Sequence, residues 1–98
     1  MSNPPNGLYR KAYDGSTIVR TADAVNITQG LRVYTNNLDR GTVDLTRAEF
    51  EWHAGENRYV LWFDVLVDTD YMGEALFQRR RVMQSDDRVA TQFNGKAA

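Results

Sequence analysis

Twelve residues from Arg58 to Thr69, Arg-Tyr-Val-Leu-Trp-Phe-Asp-Val-Leu-Val-Asp-Thr, form the longest run of strand-forming residues in the chain. Val60, Val65 and Val67 are β-branched, and Tyr59, Trp62 and Phe63 are aromatic. Both types suit a pleated, packed surface. Side chains alternate along a strand, so Tyr59, Leu61, Phe63, Val65 and Val67 share one apolar face. Val60, Trp62, Asp64, Leu66 and Asp68 make a mixed second face. One clean face and one half-polar face predict a central strand of a small sheet.

The chain around this strand has 98 residues, enough for a single domain over 1–98. Loose tails are expected at about 1–7, where two prolines and two asparagines occur, and at 94–98. With 26% charged residues and 42% hydrophobic ones, the chain should fold. It has no cysteine, which excludes disulfides and thiolate metal sites. No apolar run approaches the roughly 18 residues of a membrane helix. The first residues lack the basic and apolar regions of a signal peptide, so a cytoplasmic location is expected. Net charge is −1, which gives the whole chain no pull toward nucleic acid or anionic lipid. Charge is uneven: residues 36–70 hold three basic and eight acidic groups, while residues 71–98 hold five basic and three acidic.

Turn signals recur about every ten residues. Asp14-Gly15 predicts a hairpin between 8–13 and 17–21, and Ala22–Val25 could be one helical turn. The cluster from Asn36 to Gly41 predicts a second hairpin, with Gly41 at a bulge or a positive φ. Matching hydrophobic faces then pairs Val33 with Val43, Leu31 with Leu45 and Arg32 with Asp44.

Residues 46–54 carry two readings. Thr46-Arg-Ala-Glu49 fits a capping box for a short helix, whereas Ala48, Phe50 and Trp52 share one face of a strand. The strand reading pairs Trp52 with Tyr59, Phe50 with Leu61 and His53 with Arg58, and it needs a bulge near Thr46–Arg47 because the apolar phase changes there. Phe50, Trp52, Leu61 and Phe63 should then pack together.

Residues 74–83 also read two ways. A returning strand would set Leu66 against Phe77, Asp64 against Arg79 and Trp62 against Arg81, but would turn Gln78 and Arg80 toward the core. A short helix is the alternative. Ser85–Asp87 is a further turn, and 88–93 a last strand. The sum is a mostly β fold, a small antiparallel barrel or strongly bent sheet with at most one or two short helical turns. The Gly30-Leu-x-Val and Gly41-Thr-Val43 arrangement resembles strand pairs of SH3-like barrels. It covers about fourteen residues and assigns no family.

Chemistry is sparse. His53 is the single histidine, and with Glu49 and Glu51 it forms a row on one strand face. One strand rarely converges three ligands, so a solvated face is the plainer reading. No phosphate loop, dinucleotide fingerprint or nucleophile elbow occurs. The expectation is therefore a non-enzymatic module without cofactor or metal. Its interaction face would be Trp62 and Leu66 with Arg79, Arg81, Glu49 and Asp64, an apolar centre with a charged rim. The expected partner is a protein or a second copy of the chain. The alternative is single-stranded nucleic acid held by Arg79–Arg81, with Tyr34, Trp62 or Tyr71 as stacking platforms.

Overall fold

The computed structural model describes residues 10–11, 17–20, 26–55, 57–84 and 89–98. The expected N-terminal tail, the Asp14-Gly15 turn, the helical turn at 22–25 and the turn at Ser85–Asp87 lie outside them. Among the described residues the chain is mostly strand, with no helix. Ten strands follow in order: β1 (Arg10–Lys11), β2 (Thr17–Arg20), β3 (Asn26–Ile27), β4 (Arg32–Thr35), β5 (Arg40–His53), β6 (Arg58–Thr69), β7 (Ala75–Gln84), β8 (Val89–Ala90), β9 (Gln92–Phe93) and β10 (Lys96–Ala97). The main sheet is antiparallel with the order β7-β6-β5-β4-β8. Both ambiguous segments, 46–54 and 74–83, fall in strands: β5 brings Ala48 and Phe50, and β7 brings Leu76 and Val82, against the core.

The central run is indeed flanked on both sides. Its odd face supplies Leu61, Phe63, Val65 and Val67 to a core that also holds Ile27, Val33, Val43 and Val89. Leu31, Leu45, Ala48, Phe50, Leu76 and Val82 pack against that core. Trp52 departs from expectation: it pairs with Tyr59 at the far end of the β5–β6 hairpin and is largely exposed. The core ends at Phe50, before the strands reach that tip.

The β5–β6 register matches the sequence pattern from His53↔Arg58 to Phe50↔Leu61. Between Asp44↔Asp64 and Glu49↔Trp62, β5 then advances five residues while β6 advances two. Three extra residues are an odd number, so the bulge exchanges the faces of β5. Val43 and Phe50 therefore both reach the core.

Two other registers lie two residues from expectation. β4 pairs Arg32↔Thr42 and Val33↔Gly41, because the turn closes early through Thr35 N–H donating to Asp39 O at 2.9 Å. β7 pairs Asp64↔Arg81 and Leu66↔Arg79, because the Asp70–Glu74 turn and an irregularity between Val67 and Thr69 each add a residue. A shift of two preserves the face of every side chain, so the hydrophobic pattern could not exclude it.

Gly41 serves a close approach, not a positive φ. A Cβ there would lie 2.5 Å from the Leu66 carbonyl oxygen. Arg80 does turn toward the core side, and it ends on Asp39 at 2.6 Å. Arg80 stands opposite Val65, which stands opposite Val43. In a flat sheet Asp39 would be about 10 Å away across two strands and about 13 Å along them. Two side chains do not span that distance, so the sheet is curled toward the β4–β5 turn. Among the described residues β7 and β8 do not pair with each other, and no closed barrel is found; the five strands form an antiparallel sheet.

The expected C-terminal tail is a hairpin. β9 and β10 pair Phe93 with Lys96 across Asn94-Gly95, both at positive φ (51° and 78°). Asn-Gly is the preferred pair for such a turn.

Replacing Gly41 with Ala should force β5 and β6 apart at Leu66 and lower stability by about 1–3 kcal/mol. Urea denaturation checks this; an unchanged midpoint would show that the strands yield freely.

Candidate functional site

The second face of β6 carries the expected residues in an arrangement built around one carboxylate. Asp64 is 1% exposed although it sits between two apolar neighbours of the strand. Arg79 reaches its Oδ2 at 2.7 Å and Arg81 its Oδ1 at 3.2 Å. Both arginines come from β7, where alternation puts them on the same side. Arg47, in the β5 bulge, stands 3.9 Å from Oδ2.

The network then extends outward. Arg79 also donates to Asp44 at 3.1 Å, and Arg81 to Glu49 at 3.1 Å. Asp44 accepts from the Thr46 N–H, the Thr46 hydroxyl and Gln29 Nε2. These bonds, Thr46 first and Arg79 last, hold the Asp44 carboxyl well below the usual carboxylate range. Asp64 and then Asp44 keep the Arg79 guanidinium more firmly charged. Further along the face Arg32 grips Asp68 with two bonds, 2.5 and 3.1 Å, and lowers its carboxyl.

The structure thus brings together all six residues singled out in the sequence, with different roles. Asp64 is sealed beneath Arg79 and Arg81 and organises the face without being exposed on it. Trp62 is half-buried, opposite Glu49 on one side and Met83 on the other. Its Nε1 is buried without a hydrogen-bond partner. Leu66 is exposed beside Arg79. Phe77, absent from the expected set, lies on the same side of β7 as Arg79 and is 81% exposed. The register shift moved it out from opposite Leu66, but its alternation with Arg79 and Arg81 was legible.

Every member of the run Arg79–Arg81 meets a carboxylate: Arg79 with Asp64 and Asp44, Arg80 with Asp39, Arg81 with Asp64 and Glu49. The basic run is balanced within the fold. Glu49, one of the row with Glu51 and His53, pairs with Arg81. Among the described residues no group of three His, Asp or Glu side chains could hold a metal ion.

A second feature was not foreseen. A cleft of about 340 Å³ lies among three turns. Tyr34, Leu38, Tyr71, Met72 and Phe93 form its walls, and Arg40 and Lys96 supply charge. Tyr34 and Phe93 meet at 6.1 Å between ring centroids, and Arg40 stands 6.0 Å over the Tyr34 ring. The signal missed in the sequence is the Asn94-Gly95 hairpin, which folds Phe93 onto Tyr34.

Comparison with protein-family models, with curated proteins and with solved structures finds no match to this chain. Function is therefore read from the chemistry of these surfaces.

Changing Arg79 and Arg81 together to Met should leave the buried Asp64 with only the more distant Arg47 as a cation and cost about 3–5 kcal/mol of stability. Adding Asp64→Asn to that protein should return part of the loss, which chemical denaturation of the series will show. Acid sensitivity is a separate test. The folded carboxyls of Asp44 and Asp68 lie below their unfolded value of 3.8. Their stabilisation is complete above that value and is lost as pH falls through the folded one. The stability gap between the parent and Asp68→Asn should therefore be full at neutral pH and should close as pH falls below 3.8 through the lowered folded value. A gap that stays constant from neutral to strongly acid pH would contradict the role of Arg32.

Proposed function

We propose that this protein is a non-enzymatic interaction module, and that it binds a protein partner through the face around Trp62. The observation that carries this reading is the exposure of Phe77 and Leu66 beside a rigid charged belt. At 81% exposure Phe77 buries little of its ring in the free chain. Covering such a side chain contributes about 1.5–3 kcal/mol to an interface. Trp62 and Met83 continue the apolar row on the other side of the arginines.

The arrangement supports an interface with an apolar centre and a polar rim. Arg79 and Arg81 lie between the two apolar parts, held in place by Asp64. Such prior ordering lowers the entropy lost when a partner docks. A second copy of the chain is the simplest partner. It would lay one Phe77–Leu66 patch on another about a two-fold axis. Edge-to-edge pairing of β7 with its copy fits less well, because a register centred on Arg80 would oppose arginine with arginine.

Phe77→Ser and Trp62→Ala should each weaken self-association or partner capture by roughly tenfold or more, which is about 1.4 kcal/mol. Phe77→Ser should leave the melting temperature unchanged. Sedimentation equilibrium measures self-association, and a nuclease-treated pull-down measures other partners. A parent protein that is monomeric and captures nothing through this face would end the proposal.

A further inference from the structure

The cleft among the turns shares no residue with the Trp62 face, and its construction points to a use of its own. Each turn that builds it is pinned. In the β6–β7 turn the Asp70 carboxylate accepts from the N–H groups of Met72 and Glu74, both at 2.9 Å. Asp70 N–H donates to Glu74 O at 2.8 Å, and Gly73 takes the positive φ that closes the loop. This held turn presents Tyr71 and Met72 at 72% and 70% exposure.

In the β4–β5 turn Leu38 occupies φ 65°, a left-handed conformation that residues with a Cβ rarely adopt. Asn37 precedes it and would suit that position better. The strained residue lines the cleft. In the third turn, Asn94-Gly95 sets Lys96 directly across from Phe93. Apolar side chains are thus displayed from ordered backbone on three sides.

The charge of the cleft has one sign. Arg40 and Lys96 line it and no carboxylate does. Of the acids that flank lining residues, Asp39 is buried against Arg80, Asp70 is turned into its own loop, and Glu74 lies outside the lining. Among the described residues neither Arg40 nor Lys96 makes an ion pair within 4 Å; Arg40 acts on the Asp68 carboxylate only from longer range, and Asp68 is gripped by Arg32. A volume of about 340 Å³ takes one large side chain with adjoining backbone.

We infer that this cleft binds an acidic peptide segment that inserts one aromatic or large aliphatic side chain among Tyr34, Tyr71 and Phe93. The carboxylates beside that side chain meet Arg40 and Lys96. Tyrosine, methionine and arginine are the residues that interface centres favour, because they give wide contact at little entropic cost. A nucleic-acid strand fits less well. It needs a chain of cations along its backbone, and here the chain carries −1 overall and the arginine run is balanced by its own carboxylates.

The test is selection from a displayed library of short randomised peptides on the full chain. Enriched peptides should carry Asp or Glu around Phe, Trp, Tyr or Leu. A synthetic peptide of the enriched sequence should shift backbone amides at 71–73 and 93–96, and should bind more weakly as salt rises. Tyr71→Ala and Lys96→Glu should each weaken it by roughly tenfold. Both positions are exposed, so the melting temperature should not move. Phe77→Ser should leave peptide binding intact, which separates this site from the Trp62 face. Four results would overturn the inference: no enrichment, enrichment of basic or neutral peptides, binding indifferent to Tyr71→Ala, or displacement of the peptide by mixed single-stranded oligonucleotides at equal concentration.

Discussion

A carboxylate held almost out of solvent in the central strand governs how the sheet is assembled. Asp64 stands between Phe63 and Val65, both fully buried, and its own side chain is as hidden as theirs. An unpaired charge in that position would cost several kcal/mol, so the strand can be central only if cations arrive with it. β7 delivers two, from alternate positions, and the β5 bulge adds Arg47 at longer range. The pairing of β6 with β7 is therefore fixed by charge as well as by backbone hydrogen bonds. The same arrangement aligns Arg79 and Arg81 into the belt that separates Trp62 and Met83 from Leu66 and Phe77.

Arg80 answers a difficulty that the sequence raises. A strand reading of residues 75–84 sends an arginine toward the core, which by itself favours a helix. Asp39 removes the difficulty, since its buried carboxylate lies at 2.6 Å from Arg80 and also accepts a bond from the Thr35 hydroxyl. That contact is possible only on a curled sheet. It joins residues far apart in sequence, and neither Asp39 nor Arg80 shows locally that the other will be near.

The two surfaces differ in origin. The Trp62 face follows from alternation along two long strands, so its six residues could be gathered from the sequence, and Phe77 could have joined them. The cleft follows from three turns meeting at one end of the molecule. Tyr71 sits in a turn that Asp-x-x-Gly announces, and Phe93 in a hairpin that Asn-Gly announces. That these turns converge on Tyr34 depends on the pairing of β4 with β5 and on the docking of β9–β10, both of which are long-range.

Local pattern by itself determined that this chain is made of strands, that 58–69 is central, which face of it is apolar, and that β5 must bulge where its apolar phase changes. Those features depend on the two-residue period of a strand and on the burial of apolar area, which are read within one segment. Tertiary structure alone decided the two registers that differ by two residues, the curl that lets Arg80 reach Asp39, the exposure of Trp52, and the cleft. A shift of two leaves every side chain on its own face, so burial is nearly indifferent to it. The choice falls to turn geometry, to the reach of arginine side chains and to the close approach at Gly41.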